Sequence, residues 1–219
     1  PWDVKVEVEL KREGEAPSGM VEVPEAGKVR LLMSGRTTDK QIRLGAFWMD
    51  RFEVTNEAFQ KFVDSGKYPA EFRDRTGLPG PVGWSGGRVA KELARNPVTG
   101  VSWEEARAYC RFAGKELPTI YQWETATRGQ VRTPFGLVYP WGLLNAKEVL
   151  LKANLNGSGT AAVGSYPFGM NRLGAYDLAG NVREWLLNRR GKNMAVAGGS
   201  WRSEVYEFLG HQRAAASTR

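Results

Sequence analysis

The segment LGAYDLAGNVREW, residues 173–185, constrains the fold more than any other part of the sequence. It combines a glycine turn with acidic and amide side chains, and AGGSW follows it at residues 197–201. Closely spaced glycines favour a loop over a helix or a regular strand. Oxygen-bearing side chains in such a loop are also the ligands that a hard cation prefers. We therefore expect an ordered loop here, with a cation as one reason for its order.

Glycine and proline extend this expectation to the whole chain of 219 residues. With 26 Gly and 11 Pro, long uninterrupted helices are disfavoured and much of the chain is expected to be loop. The 8 Trp side chains still provide large apolar bodies for a core. No internal repeat or linker divides the sequence, so we expect one domain over residues 1–219, with residues 1–18 as an N-terminal strand or extension.

Three helices are predicted from their capping residues. A Ser or Thr with Glu or Gln three positions later forms a capping box, and glycine often ends a helix. The caps are Ser102 with Glu105, Thr119 with Gln122 and, for an earlier helix, Thr55 or Asn56. Alternating or aromatic-rich runs predict short strands at residues 3–10, 20–24, 28–33 and 45–52.

The net charge of +7 does not by itself indicate nucleic-acid binding. Basic residues are spread along the chain with acids between them, so we expect no nucleic-acid partner. No apolar run reaches the roughly 18–20 residues that span a bilayer, so we expect no membrane insertion by this chain. Because the sequence begins with Pro1, we expect a fragment or a processed chain, and its localisation stays unassigned.

Several motifs follow one another from about Gly19 to the C-terminus: DRFEVTNEAFQKFV, NPVTGVSWEEARAYCRFAGKELPTIYQWETATRG, YPWG, VGSYPFGMNRLGAYDLAGNVREW and GGSW. In this order they resemble the formylglycine-generating-enzyme/sulfatase-modifying-factor family. The resemblance implies an α+β, C-type-lectin-like fold with small antiparallel sheets, two to three short helices and a large content of irregular loop. DRTGLPGP, residues 74–81, resembles the members of this family that are attached to bacterial serine/threonine kinases.

The residues that perform oxidation in this family are not matched here. Family enzymes that make formylglycine bind copper through a cysteine pair after GGS, and the corresponding positions are Ser203 and Phe208. Thiolates are the ligands that select Cu(I), and neither side chain supplies one. The family's iron branch needs three histidines, whereas this chain has only His211. We therefore expect no copper, no iron and no enzyme, and we expect Cys110 to be a small buried hydrophobe.

Calcium is the cofactor that the resemblance does imply. Its ligands would be the Asp177 and Glu184 carboxylates and the Gly180 and Val182 carbonyls, and oxygen ligands of this kind suit Ca²⁺. The purely structural alternative is that Asp177 caps the turn and Glu184 pairs with Arg183 or Arg189.

The stretch after GGSW mixes aromatic, charged and small side chains, a composition typical of recognition surfaces. We therefore predict a non-catalytic module that binds an unknown protein or small molecule through this region. The candidate ligand-binding residues are Trp201, Arg202, Ser203, Glu204, Tyr206, Glu207, Phe208, His211 and Gln212. The alternative for Trp201 is a place in the core, because GGSW is a scaffold motif.

Three other functions stay open from the sequence. The chain resembles the variable proteins of diversity-generating retroelements, some of which use this fold and randomise residues after GGSW. A sensor domain of a bacterial serine/threonine kinase is the second. The third is an enzyme of unrecognised type, with Glu204, Tyr206, Glu207 and His211 as a general acid–base cluster.

Overall fold

The computed structural model describes residues 16–29, 41–73, 80–128, 139–142, 146–190, 192–204 and 212–214. Within these ranges the regular elements are short and loops join them. The strands are β1 (Met20–Val23), β2 (Gly27–Val29), β3 (Ile42–Leu44), β4 (Phe47–Asp50), β5 (Glu184–Arg190), β6 (Asn193–Ala197) and β7 (Gln212–Ala214). The α-helices are α1 (Asn56–Asp64), α2 (Trp103–Phe112), α3 (Ile120–Arg128) and α4 (Ala146–Val149). Single 3-10 turns occupy Ala70–Phe72, Lys91–Leu93 and Pro167–Gly169.

The strands form small antiparallel sheets, as predicted. β1 pairs with β4, β2 pairs with β3, and β5, β6 and β7 form a sheet with β6 in the centre. In this last sheet Glu184 faces Ala197 and Trp185 faces Val196, after which the register shifts before Arg189 meets Met194. An irregularity of this kind bends a strand, and here it follows directly on the loop that leads into β5.

The three predicted helices are present with their predicted caps. The Thr55 hydroxyl accepts a hydrogen bond from the backbone N–H of Ala58 at 3.2 Å, so Thr55 rather than Asn56 caps α1. Both capping boxes form as well: Ser102 pairs reciprocally with Glu105, and Thr119 with Gln122. These caps satisfy part of the first turn of each helix from local sequence. Distant residues satisfy further N–H groups: that of Asn56 donates to the Asn96 carbonyl, and that of Ile120 to the Asn188 side chain.

The apolar residues of α2 at helical spacing, Trp103, Ala106 and Cys110, predict the buried face of this helix. These side chains are only half-buried, whereas Glu105 is fully buried. The Glu105 carboxylate accepts hydrogen bonds from the backbone N–H of Ser102 and from the hydroxyl of Tyr68. Since a buried carboxylate is tolerated when its acceptors are satisfied, these two donors explain an acid in the interior.

Two apolar clusters form the core. One gathers Trp123 of α3, Leu186 of β5 and residues of β6. The other is aromatic: Phe59 and Phe62 of α1 pack edge-to-face at 5.5 Å, and Tyr68 joins both rings. Tyr68 thereby ties the chain that follows α1 to this core.

Some predicted features fall beyond these ranges. The strand expected at residues 3–10 lies outside the described residues, and of the strand expected at residues 28–33 only the first two positions are described, in β2. Among the helices that the structure describes, none has the length and apolarity needed to cross a bilayer.

Candidate functional site

The two glycine-containing motifs of the sequence lie side by side in the structure. The loop of residues 173–183 leads into β5 and the GGSW turn leaves β6, and these strands are paired. The backbone N–H of Gly180 donates to the carbonyl of Gly198 at 2.7 Å. The N–H of Trp201 donates to the carbonyl of Asn181 at 2.9 Å. The predicted calcium loop and the predicted binding turn are therefore joined through their main chains.

Of the two carboxylates predicted to bind calcium, that of Asp177 is buried and that of Glu184 is half-buried at the cleft side of the loop. Asp177 is 8% exposed, and its Oδ2 accepts a hydrogen bond from the N–H of Gly164 at 2.7 Å. Glu184 accepts from the indole N–H of Trp123 at 3.1 Å rather than pairing with an arginine. Each carboxylate thus accepts a hydrogen bond from the described residues on one of its oxygens, and the other oxygen is available to a cation.

A third carboxylate, Glu53, belongs to the same cluster. Glu53 accepts hydrogen bonds from the side-chain amide of Asn181 at 2.6 Å and from the N–H of Val182 at 3.0 Å. Sequence analysis missed this residue because 128 positions separate it from Asn181 and no spacing rule connects them. Its only local sign was an acid between aromatic and β-branched residues in DRFEVTN.

The electrostatics of this acidic cluster favour a bound cation. Burial, and then the charges of Asp177 and Glu184, raise the pKa of Glu53 well above its usual value. Burial chiefly raises the pKa of Glu184 to about 7, and burial also raises the pKa of Asp177. Among the described residues no Lys or Arg forms an ion pair with any of the three. Ionisation of these carboxyls therefore concentrates negative charge that has no counter-ion among the described residues.

The oxygen donors predicted for this loop have the chemistry that calcium prefers. Among the residues that the structure describes, no three His, Cys, Asp or Glu side chains meet the geometry of a metal site. The predicted set instead mixes the Asp177 and Glu184 carboxylates with the backbone carbonyls of Gly180 and Val182. Hard oxygen ligands with irregular geometry are what Ca²⁺ accepts, and thiolate or imidazole ligands are not among them.

Hydrogen bonds and close packing against Asn154 fix the loop of residues 173–183. The Asn154 carbonyl accepts from the N–H of Asn181 at 2.8 Å, and the Asn154 amide donates to the Asn181 side chain at 3.0 Å. Gly180 has φ 82°, and a Cβ at this position would lie 2.4 Å from the Asn154 carbonyl oxygen. Only glycine therefore fits both the backbone conformation and the space.

A large open cleft lies next to this loop. Its volume is about 1330 Å³, and its walls come from β4, residues 97–101, the C-terminal half of α2 and the turn of residues 200–202. Apolar side chains make up much of the lining, with charged groups at separate points. A concave surface with an apolar lining and a few polar groups is typical of a binding site. We refer to it below as the cleft.

Two of the predicted binding residues face the cleft directly. Trp201 is half-buried and Arg202 is exposed, and both line the cleft. The Arg202 guanidinium carbon lies 4.4 Å from the centroid of the Trp201 indole, a cation–π arrangement that orients both side chains. Glu204 is exposed just beyond the turn. Trp201 is thus at the edge of the cleft rather than wholly in the core.

Ser203 departs from the expectation of a surface contact. It is 1% exposed, and its hydroxyl accepts from the N–H of Ser200 at 3.1 Å. It stabilises the turn from inside. The remaining candidates Tyr206, Glu207, Phe208 and His211 lie outside the described residues. Gln212 is placed by its backbone only, in β7 opposite Val196 of β6.

The single thiol lines the cleft but is not ionised at neutral pH. Cys110 is half-buried, rather than fully buried as predicted, because the open cleft borders this face of α2. Burial first, and then the charge of Asp50, raise the pKa of Cys110 to about 12. Since the thiolate is the reactive form, Cys110 lacks the character of a nucleophile or a metal ligand.

Curated relatives include both enzymes and a protein named as inactive. The chain is 37% identical over 159 residues to hercynine oxygenase of Mycobacterium tuberculosis, covering 64% of this chain and 37% of that protein. It is 29% identical over 228 residues to inactive C-alpha-formylglycine-generating enzyme 2 of Mus musculus, covering 84% and 73%. It is 37% identical over 149 residues to the serine/threonine-protein kinase Pkn1 of Chlamydia trachomatis, covering 66% and 23%.

The fold is shared with a solved structure of low sequence identity. Treponema denticola variable protein 1 superposes with a TM-score of 0.66 at 20% identity, over 91% of this chain and 90% of that one. This likeness confirms the α+β, C-type-lectin-like fold. The sulfatase-modifying factor enzyme 1-like domain matches residues 7–218. With that match over nearly the whole chain, and with the lectin-like fold and the paired glycine motifs, the protein belongs to the sulfatase-modifying factor enzyme 1-like family.

Proposed function

We propose that this protein is a non-catalytic binding module and that the cleft beside Trp201 receives its ligand. The observation that carries the proposal is the stacked pair of Trp201 and Arg202 on the wall of the cleft. An aromatic ring and an arginine at the edge of an apolar cavity are the residue types that dominate binding energy in recognition sites. We propose further that residues 1–219 form one domain.

The chemistry of the site supports the absence of an oxidase activity. The Ser203 hydroxyl, at a position where family oxidases have a thiol, is buried and bonded within its own turn. Cys110 is protonated at neutral pH. A relative named as inactive supports this view, whereas the relatives named as hercynine oxygenases are enzymes, so the activity needs a direct test.

That test is a formylglycine assay on a CxPxR-type peptide, with and without added copper. We expect no conversion under either condition, because no thiolate pair is available to bind Cu(I). Copper-dependent conversion above the level of a no-protein control would overturn the non-catalytic proposal. A peptide in which serine replaces the target cysteine provides the background for the mass measurement.

We also propose that the loop of residues 177–184 holds a structural calcium ion. Asp177 and Glu184 would supply carboxylates, and Gly180 and Val182 would supply carbonyl oxygens. The support is a buried acidic cluster that has no protein counter-ion among the described residues. Bound Ca²⁺ would neutralise this cluster and stabilise the loop that holds the binding turn. It would take no part in a reaction.

Melting temperature in calcium and in chelator tests this site. Binding at about 100 times the Kd adds about 2.7 kcal/mol, which raises the Tm of a chain of this size by about 5–10 °C. Asp177→Asn should abolish the rise, whereas Asp64→Asn, an exposed acid on α1, should leave it intact. Equal melting of the wild-type protein in calcium and in EDTA would argue against the site.

The kinase relative favours one context for such a module. The chain spans 23% of that relative's length, so a sensor domain attached to a kinase is compatible with the match. The full gene would show a kinase domain in the same reading frame. The variable-protein alternative has the fold in its favour, and it requires a neighbouring reverse transcriptase gene with a template repeat.

A further inference from the structure

The cleft contains charged groups of both signs, but most of them are already neutralised. Lys115 forms an ion pair with Asp50 across the cleft wall. The Glu116 carboxylate is held by two nitrogens of Arg107, at 3.0 Å and 3.1 Å. Because each pair joins one positive and one negative group, its net charge is zero and it attracts a charged ligand only weakly.

The two other acids that line the cleft are Glu53 and Glu184. Glu53 accepts from Asn181 and from Val182, and Glu184 accepts from Trp123. Both belong to the acidic cluster described above, and burial raises the pKa of each. These groups face inward toward the predicted calcium loop.

Two arginines remain uncommitted among the charged groups that line the described part of the cleft. Arg183 and Arg202 are exposed, and neither forms an ion pair with a described carboxylate. Other exposed arginines behave differently: Arg88 pairs with Asp64 at 3.3 Å. At the end of the cleft where these two arginines lie, the charge without an ion-pair partner among the described residues is therefore positive.

Both arginine side chains are partly oriented by contacts with residues 201–203. Arg183 reaches the Ser203 hydroxyl with Nη2 at 3.5 Å, and Arg202 is the chain neighbour of Ser203. Arg202 is held over the Trp201 ring. An oriented guanidinium loses less entropy on binding a carboxylate, and it can bind the two oxygens at once.

We propose that Arg183 and Arg202 make this end of the cleft a receptor for an acidic peptide segment, in which carboxylate side chains alternate with apolar ones. This inference rests on the proposed function and names its ligand class. The carboxylates would bind the two guanidinium groups, and the apolar side chains would occupy the apolar part of the lining. The volume of about 1330 Å³ exceeds the roughly 300–1,000 Å³ of small-molecule pockets, which favours an extended peptide.

Nucleic acid fits this site less well. Binding to a phosphate backbone relies on a stripe of several basic residues, because affinity increases with the number of neutralised phosphates. In the described cleft only two arginines are uncommitted, and a buried acidic cluster lies behind them. Two carboxylates match this arrangement in charge and number.

The test is selection of a random twelve-residue peptide library on immobilised full-length protein, followed by fluorescence polarisation of the selected peptides. We expect enrichment of Asp and Glu next to apolar residues. The variant with Arg183→Gln and Arg202→Gln should bind these peptides at least tenfold more weakly. Arg189→Gln, an exposed arginine of β5 outside the cleft, is the matched control and should bind as the wild type does.

Other outcomes separate this inference from the proposed function. Selected peptides without an excess of acids, whose binding is lost in Trp201→Ala, would overturn the acidic specificity and leave the binding module in place. If neither the double variant nor Trp201→Ala weakens the binding of the selected peptides, both the acidic specificity and the binding role of the cleft are overturned. A library that yields no binder would also overturn both. Displacement of an acidic peptide by a thymidine oligonucleotide at physiological salt would show general polyanion binding and overturn the peptide assignment.

Discussion

The carboxylate of Glu53 lies 2.6 Å from the side-chain amide nitrogen of Asn181, a hydrogen bond between residues 128 positions apart. A second bond, from the N–H of Val182, reaches the other carboxylate oxygen. Glu53, three residues after the end of β4, thereby fixes the loop that precedes β5. This bond connects the N-terminal part of the chain to both predicted functional regions.

Glu53→Ala should destabilise the protein by about 2 kcal/mol, because it leaves two donors of the loop without acceptors in a buried position. Urea denaturation at pH 7 measures the loss. Glu92→Ala, an exposed acid in a 3-10 turn, is the control and should change stability by less than about 0.5 kcal/mol. Equal stability of the Glu53→Ala variant and the wild type would mean that the loop is held by other contacts.

Gly180→Ala should cost at least about 3 kcal/mol, since it adds a steric clash to the strain of a positive φ. The added Cβ would lie 2.4 Å from the Asn154 carbonyl oxygen. Gly66→Ala is a matched control, with φ 75° and no atom within 4 Å of the added Cβ, and it should cost only about 1 kcal/mol. Similar denaturation midpoints for the two variants would contradict the close approach seen here.

Glu105→Ala should destabilise the protein by about 3 kcal/mol, because the buried acceptor of both Ser102 and Tyr68 is removed. Thermal unfolding compares it with Glu104→Ala, the adjacent acid in the same first turn. We expect the Glu104 variant to lose less than about 1 kcal/mol, the usual contribution of an acid near a helix N-terminus. If both variants lost the same amount, the charge near the helix N-terminus alone would account for the effect, and the buried hydrogen bonds of Glu105 would contribute nothing.

The Cys110 thiol should react slowly with iodoacetamide at pH 8 in the native protein. A pKa of about 12 leaves a thiolate fraction on the order of a thousandfold below that of an ordinary thiol. The same protein unfolded in urea is the control, because it contains the same single cysteine. Equal labelling rates in both states would show that the thiol is not shielded.

The same shift sets a direction for stability against pH. The folded protein holds the Cys110 proton to about pH 12, whereas the unfolded thiol releases it near pH 8.5. Because the unfolded state then binds fewer protons, stability should fall as pH rises through this window. Comparison of urea midpoints at pH 8 and pH 10 should show a smaller decrease in Cys110→Ser than in the wild type.

Local sequence rules predicted the helices well, because their determinants are a few residues apart. Thr55, Ser102 and Thr119 each satisfy N–H groups of the turn they begin. The order of the motifs likewise predicted the fold. The burial of Glu105 in α2 is not predicted by the sequence, because its partner Tyr68 lies 37 positions away. The apolar periodicity of the helix predicts a different buried face.

Part of the candidate site has a signature in the sequence. The carboxyls of Asp177 and Glu184 lie near each other beside the GGSW turn, and their binding of calcium stays a prediction. Glu53 and Arg183 have no such signature, because the place of each depends on neighbours that only the folded chain brings close. Ser203 was assigned to the surface because its exposure cannot be read from an alternating pattern of polar and aromatic residues.

The hydrogen bonds that position the GGSW turn use main-chain atoms: Gly180 to Gly198, Trp201 to Asn181, and Gly157 to the Trp201 carbonyl at 2.7 Å. Their geometry is therefore independent of which side chains occupy positions 202 and 204. Substitutions at these two positions can alter what the cleft recognises while the platform beneath them keeps its shape. Such a separation between support and specificity makes this turn a natural place to engineer new ligand preferences without redesigning the protein.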